Sequence, residues 1–281
     1  MPINFLQEIN TPIALGFPVQ GAEKPLYSLN QGEQPFAIYR FSCKDLKTSQ
    51  PLFNDGLPTL IFLPAKSEKV HLVRNGQFLA FKSAWLCCGP IKNTYWDIPE
   101  TLDSILVLRF QPSYFYSLFS IPGNLFLNQA IFNLEDIVSE DWMCLFDKMY
   151  AKEGWSARIS YLETLLNNAP LKATSFPALL NFALSYIDST KGNCTISQVL
   201  AQLGKSVNER WLLRNFVKYI GMSPKKYIGI QRFVFTYASL RLSKEINSPA
   251  ILLAAGYYDY NHFLKDFKQY LGIAPTQYVW D

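Results

Sequence analysis

The stretch "RNFVKYIGMSPKKY" (Arg214–Tyr227) recurs 51 residues later as "KDFKQYLGIAPTQY" (Lys265–Tyr278). Such a repeat constrains the fold strongly, because both copies must build the same local unit. In each, apolar residues return at helical spacing: Leu212, Phe216 and Tyr219 in the first, Phe263, Phe267 and Tyr270 in the second. Gly221 and Gly272 then end the helix, where a positive φ is accessible at low cost only to glycine. Pro224 and Pro275 are each expected to open a further helix. Upstream, Thr195–Leu203 and Pro249–Gly256 each read as a shorter helix. Each copy therefore predicts helix, turn, helix, an arrangement that can set one helix into a DNA major groove. The segment between them, Ser223–Asn247, predicts a linking helix. Its roughly 20 helical residues would make a rod of ~30 Å, close to the ~34 Å of one turn of DNA. Two units rather than three or more argue against a solenoid.

The faces opposite the apolar stripes carry the chemistry. The first presents Arg210, Leu213, Arg214 and Lys218, the second Asn261, Leu264, Lys265 and Lys268. Arg and Lys reach phosphates or guanine edges, and Asn can pair with adenine. Charge is distributed accordingly. Residues 191–281 hold twelve Lys and Arg against five Asp and Glu, while residues 1–190 hold fourteen against seventeen. A basic segment attached to a mildly acidic one implies an anionic partner for the C-terminal part. A solvated helix face is the plainer alternative.

At 281 residues and 49% hydrophobic, the chain has the material for two cores. Its first half reads as β. Phe36–Cys43, Thr59–Pro64, Val70–Val73, Gly76–Phe81, Ser83–Gly89 and Ser104–Phe110 are short, rich in aromatic or β-branched residues, and bounded by Pro, Gly and Asn. "RNGQ" (Arg74–Gln77) carries the Asn-Gly pair of a tight hairpin. Such strands predict a sandwich or small barrel. Helices are expected over Pro112–Ile121, Asn133–Tyr150, Ser156–Asn168 and Ser175–Thr190. The fold class expected is α+β in two domains, a β-rich one with trailing helices over 1–174 and an all-α one over 175–281.

With these residues in view, the segment from about Thr195 to Tyr278 resembles the DNA-binding domain of AraC-type bacterial transcription regulators. The features that carry it are "RWLLRNF…GMSPKKY", the linking helix, and "AAGYYDYNHFLKDFK…GIAPTQY". The resemblance implies that helices Asn208–Tyr219 and Asp259–Tyr270 enter adjacent major grooves. It places Arg210, Leu213 and Arg214, then Asn261, His262, Leu264 and Lys265, toward the bases. Asn208, Lys218 and Lys268 complete the candidate DNA-binding set. Leu213 and Leu264 would touch thymine methyls or read nothing, and Glu209 would cap its helix or contact cytosine. The first turn, Gly204–Trp211, carries about two residues more than is usual in that family. "VLRFQPSYF" (Val107–Phe115) resembles a strand-to-helix passage in the sensor half of a subgroup of that family. That implies a cupin-like β sandwich or barrel that senses a small ligand, dimerises, or both. The implied partners are double-stranded promoter DNA, RNA polymerase as the usual target of activation, a small-molecule effector and a second copy of the chain.

Other classes fit less well. His71 and His262 are the only histidines, too few for a cupin-type metal centre, and no phosphate loop or nucleophile elbow occurs. No enzyme, cofactor or metal is expected. Nor is a membrane: no apolar run approaches the roughly 18 residues of a span, and "MPINFLQEINTP" lacks the pattern of a signal peptide, so a cytoplasmic location is expected. The five cysteines, with Cys87 and Cys88 adjacent, read as buried reduced thiols, a redox pair being the sharper alternative. The aromatics Phe62, Phe78, Phe81, Trp85, Tyr95, Trp96 and Phe110 are expected mostly in the core, with some lining an effector pocket and Arg74 or Arg109 anchoring a carboxylate. Two rival readings stand beside regulation: a protein-interaction module whose helix-turn-helix fold no longer reads DNA, and a ligand-binding β domain with a dispensable tail.

Overall fold

Strands buried on both faces read as unbroken apolar runs, and three such runs form the middle of this molecule. In the computed structural model, Thr59–Phe62 (β4), Ala84–Cys87 (β7) and Ser104–Phe110 (β9) are buried along their whole length. The structure describes residues 3–4, 35–43, 49–74, 76–97, 99–172, 176–243 and 248–278. Most of the N-terminal stretch, Asn75 of the hairpin, the expected boundary at 174/175 and the end of the expected linking helix lie outside these residues.

The remaining strands are Ile3–Asn4 (β1), Phe36–Ser42 (β2), Ser49–Phe53 (β3), Val70–Arg74 (β5), Gln77–Phe81 (β6), Thr94–Asp97 (β8) and Ile131–Asn133 (β10). They form two five-stranded sheets, ordered β1-β3-β8-β5-β6 and β10-β7-β4-β9-β2. All described pairings are antiparallel except β1 beside β3. β2 and β9 pair over seven positions, from Phe36 opposite Phe110 to Ser42 opposite Ser104.

One core lies between the sheets, around Leu52, Leu72, Trp85, Trp96, Ile105 and Val107. A second lies behind the central sheet, where Phe62, Leu86, Leu108 and Phe110 meet the helices Pro112–Phe119 (α1), Glu140–Tyr150 (α2) and Gly154–Asn168 (α3). The sandwich expectation is met, with a helical layer added. β1, β3, β8 and β10 are absent from the sequence reading. The helix expected from Asn133 begins instead at Glu140 behind Ser139, because Ile131–Asn133 is taken up by pairing with β7.

The third core is helical. It gathers Ala178–Ser189 (α4), Ile196–Leu203 (α5), Glu209–Ile220 (α6), Pro224–Ser243 (α7), Pro249–Ala254 (α8) and Tyr260–Leu271 (α9). Phe53 and Leu57 from the β region belong to this core as well. The Phe53 ring lies edge-on to Phe233 at 5.8 Å and to Tyr237 at 5.1 Å. Beyond Pro275 the described residues make a single turn, closed by Gln277 N–H to the Ala274 carbonyl at 2.9 Å, rather than the helix expected there.

Candidate nucleic-acid interface

The two repeats fold into matching units. α5 runs through Gly204–Asn208 into α6, and α8 runs through Ala255–Asp259 into α9, so both connections are five residues long. The first turn is therefore no longer than the second. Thr195 opens α5 with a capping box, its hydroxyl accepting from Gln198 N–H and its own N–H donating to Gln198 Oε1.

The caps of the two longer helices correspond. Asn208 Oδ1 accepts from Trp211 N–H at 2.9 Å, and Asp259 Oδ1 accepts from His262 N–H at 2.7 Å. Asn208, not Glu209, is the capping residue. Its carbonyl oxygen is thereby committed to the fold, which leaves its amide NH₂ as the group able to meet a phosphate. The buried stripes also correspond. Leu212, Phe216, Tyr219 and Ile220 in α6 match Phe263, Phe267, Tyr270 and Leu271 in α9.

On the opposite side of α6, Arg210, Leu213, Arg214 and Lys218 are exposed. With Val217, Pro122 and Asn124 they line a shallow groove of about 590 Å³. Leu213 is 47% exposed, high for an apolar residue on a helix. On α9, Asn261, Lys265 and Lys268 are exposed and Leu264 is half-buried. His262 stands apart from them. It is half-buried, with its ring edge-on to Tyr257 at 5.0 Å, in the position that Trp211 takes in the first unit. Lys225 and Lys226 are exposed at the start of α7. Burial first, and then the nearby charge of Lys226, lower the pKa of Lys92 in the β region.

Electrostatics on this side are permissive for a polyanion. Lys218 and Lys268 sit in the last turns of their helices, where a cation complements the helix dipole. Asp266, the acid nearest these residues on α9, accepts from Tyr257 Oη at 3.0 Å, and burial raises its pKa. Its charge is thus directed inward.

The expected effector anchors resolve differently. Arg109 is buried and ion-paired with Asp55, so its carboxylate comes from the chain itself. Phe62, Phe81, Trp85, Trp96 and Phe110 are buried, whereas Phe78 is 71% exposed on β6. Cys43, Cys87, Cys88 and Cys194 are buried and Cys144 is exposed, with no disulfide among these described residues. Burial pushes Cys88 up to about 12 and Cys87 well above its ordinary value.

The comparison with protein families matches residues 205–279 to a helix-turn-helix domain. Residues 205–279 form an AraC-type helix-turn-helix domain. The match opens just after α5, so it takes in α6 through α9 and leaves the β-rich region aside. No curated protein matches the chain. Among solved structures, ToxT from Vibrio cholerae is 14% identical over 87% of this chain and 98% of its own, with a TM-score of 0.43. ToxT from the same organism with a bound unsaturated fatty acid is 14% identical over 87% and 95%, with a TM-score of 0.44. Likeness so slight carries no inference about function. The AraC-type domain is of the kind that DNA-binding transcription regulators carry. No described helix is long and apolar enough to cross a membrane, and no described cluster of His, Cys, Asp and Glu fits a metal ion.

Proposed function

We propose that the chain is a sequence-specific DNA-binding transcription regulator whose two recognition helices, α6 and α9, read adjacent major grooves. The observation that supports this most is the doubled unit itself, with matched caps and matched cores beneath exposed faces bearing Arg210, Arg214 and Lys218, then Asn261, Lys265 and Lys268. Two copies joined by the 20-residue α7 let one chain do what a symmetric dimer does with two. RNA polymerase is the partner through which such binding would activate transcription.

The β region is the modulating part of this reading, through a small effector or through self-association.

One observation favours the interaction-module reading. Leu253 is 62% exposed and Tyr258 88% exposed on an apolar groove of the second unit, beside Leu252 and Tyr257. Salt separates the two readings. Purified full-length protein is used to select fragments from random DNA, and affinity for the selected sequence is measured across salt concentrations. A DNA reader loses affinity steeply, since each phosphate contact releases a counterion. Failure to enrich any sequence sinks the DNA-reading proposal.

A further inference from the structure

Both recognition helices end against the β region, and both do so at the repeated glycine. At α9, Gly272 takes φ +77° and its N–H closes on the Lys268 carbonyl at 2.9 Å. The carbonyls of Tyr270 and Leu271 lie in the last turn, where intrahelical donors run out. They are supplied from β8 and the loop before it. Asn93 N–H donates to the Tyr270 carbonyl at 3.0 Å, and Tyr95 Oη donates to the Leu271 carbonyl at 2.9 Å. Asn93 itself adopts φ +43°, a left-handed conformation that aims its N–H at the helix. Its side-chain oxygen fills the space that a Cβ on Gly272 would need.

At α6 the contact is backbone on backbone. Gly221 has φ +76°, and Gly123, at the start of the 3-10 turn Gly123–Leu127, lies directly on the helix end. A Cβ on Gly123 would stand 2.7 Å from Gly221 N and 2.8 Å from the Tyr219 carbonyl carbon. A Cβ on Gly221 would stand 2.6 Å from the Gly123 carbonyl oxygen. The middle of the linking helix is tied down too, with Gln231 Nε2 donating to the Asp55 carbonyl at 3.0 Å.

We propose that the β region sets the separation of the two recognition helices, with Tyr95, Asn93 and Gly123 as positioning residues for groove reading. This rests on the DNA-reading proposal above. The glycines of the repeat then have two roles: each ends a helix, and each leaves the helix end bare enough for a seat on the β region. Two units joined only by α7 would tolerate some variation in the spacing of their sites. Units seated on one rigid frame would not. One added base pair displaces the second site by about 3.4 Å and rotates it by about 35°.

The test uses the full chain and the DNA that it selects, together with versions of that DNA carrying one base pair added or removed between the two contacted segments. Wild type should lose at least about tenfold in affinity on either altered spacing. Tyr95→Phe, which removes one hydroxyl, and Gly123→Ala, which lifts the 3-10 turn off α6, should bind the original DNA within about threefold. Their penalty for altered spacing should fall below that of wild type. Tyr95→Phe decides the matter alone if Gly123→Ala does not fold. An unchanged spacing penalty in the variants overturns the positioning role while leaving DNA reading intact. If wild type enriches no DNA, it is the functional proposal that fails.

Discussion

Arg214 and Lys265 occupy equivalent places in the two units, each exposed on the face opposite the buried stripe. If each contacts a base, replacing either with Ala weakens binding to the selected sequence by roughly 1–3 kcal/mol. Loss confined to one helix would mark the other unit as a support; no loss in either variant would show that the faces are wrongly assigned. Lys218 and Lys268 are not equivalents under the 51-residue offset, since Lys218 matches Gln269 and Val217 matches Lys268. The two faces therefore differ in charge placement, and a symmetric operator is not expected. Cysteine chemistry gives a second residue-level outcome. Cys88 is pushed up to about 12 by burial, and the adjacent Cys87 shares that burial, so both remain protonated thiols at neutral pH. Brief alkylation of the native protein should label Cys144 and spare Cys87 and Cys88, as read by mass spectrometry of peptides. Rapid labelling of the pair would reopen the redox reading.

Single elements differ in how much of them the sequence displays. α6 and α9 are legible almost to the residue, because cap, stripe and glycine stop are all written within each copy. Asp259 shows how local that information is: its carboxylate closes the first turn of α9 through His262 N–H. Asp259→Ala should lower stability by about 1 kcal/mol, measured by denaturant unfolding. The missed strands lack such marks. β3 contains Pro51, which reads as a breaker. It is tolerated because β1, on one side of β3, pairs with Leu52 and Phe53 and asks no donor of Pro51 among the described residues. β10 is three residues long and runs straight into "NLEDIVSEDW", whose apolar spacing suggests a helix throughout. What fixes it is remote: pairing with β7, and Asn133 Oδ1 accepting from Lys82 N–H at 2.9 Å. Of the candidate interface, the exposed basic residues are legible from helical phase. The inward turn of His262 is not, since it depends on where Tyr257 falls in space.

At the scale of the molecule, the β-rich and helical regions share one core through Phe53, whose ring sits against Phe233 and Tyr237. Contacts such as Tyr95 with Leu271 join residues 176 apart, and no local pattern announces them. Phe53→Ala should cost about 3–5 kcal/mol. Because the ring belongs to the helical core, the loss should appear in the unfolding of the helices as well as the sheets, followed by circular dichroism and by tryptophan fluorescence. Unchanged helical unfolding would mean that the two regions are energetically separate.

The measurement that bears most directly on the central claim is a footprint of the full chain on the DNA it selects, at near-physiological salt. The account predicts two protected major-groove segments on one face of the duplex, centred about 10 bp apart, with Arg214→Ala and Lys265→Ala each raising the protein concentration needed to protect both. A single protected segment, or protection that neither substitution alters, would contradict it.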